Sequence, residues 1–263
     1  MKDIVTLYEI QKQLEHQVLI CWKWLKQARS QNDDIESKSL LNWAQKIDCH
    51  ASFVEFGFSV YEYNSVALTK AGFKGLLLDA SGDSCKEANQ IFSRLELNTM
   101  AKEAWISLDS LSDIIDFYNQ NSEQLGVLNI DIDGNDYWIL KALLENIKPE
   151  IICVEHNASF GLRSVSTPYL ADFNRHAHHS SGLYHGASII AFEKLLSNSY
   201  RLVENIAGLN LIFIRSDKID NRPDIKILQG QYSLLEPALR NKWSKSTTLE
   251  QWEIIKHLPF VEV

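Results

Sequence analysis

A chain of 263 residues, 45% hydrophobic and 23% charged, has the length and apolar content for one large α/β domain with an appendage. Its net charge of −8 argues against a basic nucleic-acid-binding surface. Cys21, Cys49, Cys85 and Cys153 match no zinc or CxxC spacing, no apolar run approaches the roughly 18 residues of a membrane span, and MKDIVTLYEI lacks a signal-peptide core, so a cytoplasmic protein without a membrane partner is expected.

Residues 1–50 read as a helical cap, with a dimer surface as a second use for it. Ile4, Leu7, Tyr8, Leu14, Val18, Cys21, Trp22 and Leu25 recur at helical steps, SQNDD at 30–34 interrupts them, and Leu40, Leu41, Ala44 and Ile47 resume the pattern. Strands and helices then alternate over residues 51–216. A strand at 52–56 runs into Gly57, a helix at 64–71 stops at Gly72, and a strand at 75–78 ends in Asp79. A helix at 84–97, a brief strand at 104–107 and a helix at 111–118 follow. The clearest unit is a β-α-β crossover: strand 127–132, helix 137–147 and strand 151–154, with Pro149 blocking continuation of the helix. Cys153 falls inside the second of these strands and is expected to be a buried thiol. Residues 161–185 are irregular and rich in Ser, Thr and His, as a segment covering a substrate would be. A helix at 187–196 precedes two strands, 200–204 and 210–215, close enough to pair as an antiparallel hairpin. Residues 217–263 form a C-terminal extension with a last helix at 248–258.

Polar residues at the carboxyl ends of parallel strands lie where open α/β sheets bind ligands. Glu55 and Gly57 end the first strand, and Asp79 ends the second about twenty residues later. Such a glycine lets the backbone approach a ligand, and such an aspartate can accept both ribose hydroxyls. A plain turn at Gly57 and a solvent-facing Asp79 are the competing readings. Together the two features describe an adenosine half-site, shared by nicotinamide enzymes and methyltransferases. The G-x-G-x-x-G spacing is absent, and Gly57-Phe58-Ser59-Val60-Tyr61-Glu62 puts bulk and charge where a pyrophosphate would sit. An adenosine ligand without phosphates, S-adenosyl-L-methionine, suits these residues better.

Asp131 and Asp133 follow the central strand, and Glu155 and His156 end its neighbour. Asp133 and Glu155, with Asp131 near them, form a hard-oxygen set that suits Mg²⁺ or Mn²⁺. The alternative has Asp131 capping backbone N–H groups and Asp133 alone meeting substrate. Asn135 or Asp136 is expected to cap the helix that begins at Tyr137, and Trp138 to be core. HAHH at 176–179 cannot direct adjacent rings at one ion. His185, directly before a helix start, is the favoured general base and His156 the second choice, while Arg163 and Arg175 are either phosphate contacts for a nucleotide-linked substrate or plain surface residues.

The segments NIDIDGNDYWILKAL…PEIICVEHNASF and YHGASIIAFEKLLSNSYRLVENIAGLNLIFIR resemble a bacterial subgroup related to the FkbM-type methyltransferases, over roughly residues 50–216. The resemblance implies an α/β, Rossmann-like class I methyltransferase fold, with a mostly parallel seven-stranded sheet ending in an antiparallel hairpin. It also implies an S-adenosylmethionine-dependent O-methyltransferase, with a role in carbohydrate or polysaccharide biosynthesis and a small polar acceptor such as a sugar, nucleotide sugar or glycan precursor. By that pattern Glu55 and Gly57 lie against the methionine part of the cofactor and Asp79 on its ribose, with Asp131 beside them. The family's glycine-rich run is here reduced to Glu55-Phe56-Gly57-Phe58-Ser59-Val60-Tyr61. A catalytically silent scaffold and a nicotinamide-dependent oxidoreductase are the alternatives, and a homo-oligomer is compatible with the helical prelude.

Overall fold

The computed structural model describes residues 2–27, 35–112, 114–116, 124–228, 230, 241–242 and 244–263. Seven strands form one sheet: β1 Ser52–Phe56, β2 Lys74–Asp79, β3 Thr99–Glu103, β4 Val127–Ile130, β5 Ile151–Glu155, β7 Tyr200–Ile206 and β8 Asn210–Arg215, with β6 Val165–Ser166 outside it. Their order is β3-β2-β1-β4-β5-β8-β7. β1 to β5 run parallel, while β8 is antiparallel to both β5 and β7. The expected Rossmann-like α/β architecture, mostly parallel and closed by an antiparallel hairpin, is therefore the observed one. A short second sheet, in which β6 pairs antiparallel with β9 Val261–Glu262, was not foreseen.

The central strands β1, β4 and β5 are mostly apolar and buried along nearly their whole length because both faces are covered. Alternate side chains go to opposite layers. Val127, Ile151 and Cys153 join Ile20, Trp24, Leu40, Leu68 and Phe92 on one face. Leu128, Ile130, Ile152 and Val154 join Ile139, Leu140 and Phe192 on the other. Trp24 of the helix Lys2–Gln27 meets Phe92 edge-on, and Ser39 and Trp43 of the helix Ile35–Lys46 both donate to Glu204 of β7. The N-terminal helices thus belong to the main core. The C-terminal extension also folds back, since Trp252 and Phe260 pack on Phe160 in a small third cluster. At the amino-terminal end of the sheet, the fully buried Glu150 accepts from His50 N at 2.9 Å and pairs with Lys218 Nζ at 2.7 Å.

Several expected boundaries move. No strand occupies 104–107; the third strand is Thr99–Glu103, an edge strand with only Ala101 buried, so it needs no apolar run to mark it. The helix of the crossover is Asp136–Leu143, shorter than 137–147 because Leu144–Asn146 turn before Pro149. The hairpin strand expected at 200–204 extends to Ile206. The first parallel crossover helix shortens to Val66–Lys70, the next is Gly82–Arg94, and the last helix is Thr248–Ile255. The interruption at 30–34 lies outside the described residues, as does part of the helix expected at 111–118.

Candidate active site

The strand order reverses between β1 and β4, the position at which open α/β sheets bind ligands. Three strand tips are joined there by backbone bonds, Gly57 N to Leu78 O and Asp131 N to Phe56 O, each 2.9 Å. Gly57 takes φ +80°, and a Cβ built on it would lie 1.9 Å from Asp131 O. Only glycine fits that approach. Beyond it Ser59 and Glu62 exchange backbone bonds in a tight turn, and Phe58, Val60 and Tyr63 are buried in the layer that holds Trp24 and Leu40. The bulky residues after Gly57 pack into the core, Phe58 and Tyr63 also reaching the wall of a cavity of about 520 Å³ at the strand tips.

Carboxylates dominate this cavity. Glu55 is 1% exposed and accepts from Asn64 N and Ser65 N at 2.8 Å each, so it holds the turn after the first loop as well as facing the cavity. Burial pushes its pKa up to about 7, against the opposing pull of those hydrogen bonds. Asp79 accepts from Phe58 N at 3.3 Å and Ser81 N at 2.7 Å, which ties the tip of β2 to the loop after β1. Asp131 is half-buried; desolvation first, then the charges of Glu155, Asp136 and Asp133, holds its pKa well above the usual carboxylate range. Its Oδ2 accepts from Asn64 Nδ2 at 3.3 Å rather than from backbone N–H groups.

Backbone capping in this turn is performed by Asp136. Its two oxygens accept from Ile132 N and Gly134 N at 2.9 Å each, so it braces the 131–135 turn, whereas Asn135 points to Leu170 and makes no side-chain cap. Neither residue therefore caps the following helix in the expected way. Asp133, at φ +58° on this turn, stands exposed beside Glu155. One carboxylate oxygen from each of Asp131, Asp133 and Glu155 lies within 4.8 Å of the others. The donor chemistry suits a hard cation, but Arg175 already engages this set, bonded to Asp133 and 3.9 Å from Glu155 Oε1.

The histidines sit elsewhere. His185 is fully buried behind Glu155, with Nδ1 3.4 Å from Glu155 Oε2, and the helix it was expected to precede directly starts at Ile189 with Ser188 as its cap. His156 is buried, with Nδ1 3.0 Å from Leu209 O. Neither ring lines the cavity. Arg163 lies over Trp252 at 4.0 Å and donates to Phe160 O. Both arginines considered for a phosphate thus have protein partners.

Residues far apart in the chain complete the walls. Glu36 and Ser37 come from the second helix, where Glu36 accepts from Asn210 Nδ2 at 2.9 Å and Ser37 Oγ accepts from Ala67 N at 2.6 Å. Burial raises the Glu36 pKa. Phe173 and Ala171 come from the 161–185 segment, which Trp105 Nε1 fastens through Ala171 O at 2.9 Å and Asn135 Nδ2 fastens through Leu170 O at 2.7 Å. Sequence reasoning missed Glu36 although a signal existed: residues 36 and 37 precede Leu40 and Ala44 at helical spacing, so they belong to the buried face. Among the described residues, the lining includes Glu36, Glu55, Glu62, Asp79, Asp131, Asp133 and Glu155 and has no lysine, arginine or histidine. Such a cavity favours a cationic or hydroxyl-rich ligand and disfavours a phosphate.

No protein-family profile matches the chain, and no curated protein matches it in sequence. Among solved structures it is similar to an O-methyltransferase from Bacillus cereus in complex with SAH, at 17% identity and a TM-score of 0.48, covering 74% of this chain and 90% of that one. A methyltransferase from Geobacter sulfurreducens gives 14% identity and a TM-score of 0.46 over 74% of this chain and 87% of that one. The N-terminal domain of EvdMO1, in the presence of SAH and D-fucose, gives 11% and 0.44 over 71% and 84%.

Proposed function

We propose that this chain is an S-adenosylmethionine-dependent O-methyltransferase acting on a small, neutral, polyhydroxyl acceptor. The observation that carries the reading is the cavity at the β1/β4 switch point, where Gly57 and Asp79 sit at adjacent strand tips and no pyrophosphate cradle accompanies them. When bound there, S-adenosylmethionine would supply an electrophilic methyl group on a cationic sulfur. The acidic lining suits that positive charge and the ammonium of the methionine part. Glu55, Gly57 and Asp131 lie toward the methionine part in this reading, and Asp79 takes the ribose hydroxyls.

Asp133 and Glu155 are the groups that meet the acceptor hydroxyl. A carboxylate there accepts its proton as the oxygen attacks. His185, 3.4 Å from Glu155 and shielded from the cavity, is a positioning residue that steadies this carboxylate, and His156 has no direct part. The lack of cationic lining favours a free sugar or polyol over a nucleotide-linked or phosphorylated acceptor.

Calorimetric titration with S-adenosylhomocysteine and, separately, with NAD⁺ tests the cofactor reading. Saturable binding of the former alone is expected. Tight NAD⁺ binding, or a folded protein that ignores S-adenosylhomocysteine, overturns it. The bulky run after Gly57 keeps a silent binding protein as a second reading, which gains if the cofactor binds but no sugar or polyol is methylated.

A further inference from the structure

The triad of Asp131, Asp133 and Glu155 presents hard oxygen donors at the tips of two neighbouring strands, the usual preference of a divalent ion. Its surroundings differ from a metal site in one respect. Arg175, from the segment that covers the cavity, bonds Asp133 through Nη1 and approaches Glu155 Oε1 to 3.9 Å. Its own Nε donates to Gly182 O at 2.9 Å, so the guanidinium is held from behind by the segment that carries it. The Arg175 and Glu155 side chains are only 20% and 11% exposed, although that of Asp133 is 63% exposed. This is a charge lodged against the acidic edge and not one waving in solvent.

We propose that Arg175 is the resident cation of the acidic edge: its guanidinium stands in for a divalent ion at Asp133 and Glu155, and the site works without a metal. Two properties of arginine favour the exchange. The guanidinium is a permanent cation, and its fork of N–H donors can bond carboxylates on different strands. Unlike a metal, it is carried by the covering segment, which Trp105 and Asn135 fasten in place, so the neutralising charge comes with the fold. The proposal deepens the methyltransferase reading by assigning the acceptor side of the same cavity a cation from the chain itself. Its test needs neither cofactor nor acceptor, so the two can fail separately.

The test is Mn²⁺ titration followed by the paramagnetic resonance of the free ion, on wild type, Arg175→Gln, Arg175→Lys and the double variant Arg175→Gln/Asp133→Asn, each checked for folding by circular dichroism. Wild type and Arg175→Lys should show no saturable site below about 1 mM, the weak end of protein sites for hard cations. Arg175→Gln should gain one site at least tenfold tighter, and the added Asp133→Asn change should remove it. A stoichiometric wild-type site as tight as that of Arg175→Gln overturns the proposal, and so does a folded Arg175→Gln that gains nothing. If Arg175→Gln does not fold, wild type and Asp133→Asn still decide. A saturable wild-type site lost in Asp133→Asn refutes a resident arginine, and no site in either supports it.

Discussion

Replacing Gly57 by alanine tests the close approach at the centre of the sheet. The residue is at φ +80°, which costs a residue with a Cβ roughly 1–2 kcal/mol. The added carbon would lie 1.9 Å from Asp131 O and 2.9 Å from Asp131 C, both backbone atoms that no rotamer change can move. Relief requires the tips of β1 and β4 to separate, an overpacking cost of about 1–3 kcal/mol. The Asp131 N to Phe56 O bond, 2.9 Å long, spans the same gap and is worth about 1 kcal/mol. Together these give roughly 3–6 kcal/mol, a large part of the stability of an ordinary domain. For a chain of 263 residues that corresponds to a melting temperature lower by roughly 5–12 °C. Scanning calorimetry of wild type and Gly57→Ala measures it, and titration with S-adenosylhomocysteine on whatever remains folded should show weaker binding. Gly57→Val should be worse on both counts. A shift of less than about 2 °C with unchanged affinity would refute the geometry, because no smaller side chain could relieve the overlap.

Asp79→Ala removes the acceptor of two backbone N–H groups together with the proposed ribose contact, and S-adenosylhomocysteine affinity should fall by roughly 10–100-fold in calorimetry. Asp136→Ala strands Ile132 N and Gly134 N and should cost about 2–4 kcal/mol in urea unfolding; an unchanged midpoint would mean that the turn is braced elsewhere. Glu55 carries a pH signature. Its folded pKa of about 7 lies above the reference 4.5, so the unfolded chain releases the proton first, and this group makes stability fall as pH rises from about 4.5 to 7. The linkage is worth roughly 3 kcal/mol at most. Glu55→Gln should flatten part of that decline in melting temperature against pH, and an identical slope in both proteins would count against a titrating Glu55. Asp131, Asp136 and Glu36 are raised too, so some of the slope should survive.

The sequence was most informative where a strand is covered on both faces. β1, β2, β4 and β5 are mostly apolar because helices lie on either side, and the tips of β2, β4 and β5 announce themselves by the abrupt change to Asp79, Asp131 and Glu155. β3 escaped notice because an edge strand with one buried residue has the composition of a loop. In the site, the residues readable in advance were those adjacent in sequence to strand ends. Glu36, Trp105 and Phe173 reach the cavity from other segments, and periodicity says which face a residue occupies but not which distant element it meets. The two histidines show the converse error. His156 adjoins Glu155 in sequence and His185 stands before an expected helix start, yet both rings are buried and neither lines the cavity.

The two ends of the sheet treat buried charge in opposite ways. At the amino end Glu150 is matched by Lys218, whereas seven acidic side chains gather at the carboxyl end with Arg175 as the cation set against them. An excess of like charge resists compaction, so the acidic cleft works against the fold that forms it. Exchanging such acids for isosteric amides is therefore a route to a hardier protein that has lost its ligand, the familiar conflict between stability and activity. A cationic ligand should act as a thermal stabiliser beyond its contacts alone, and added salt should raise the melting temperature of the free protein more than that of the complex.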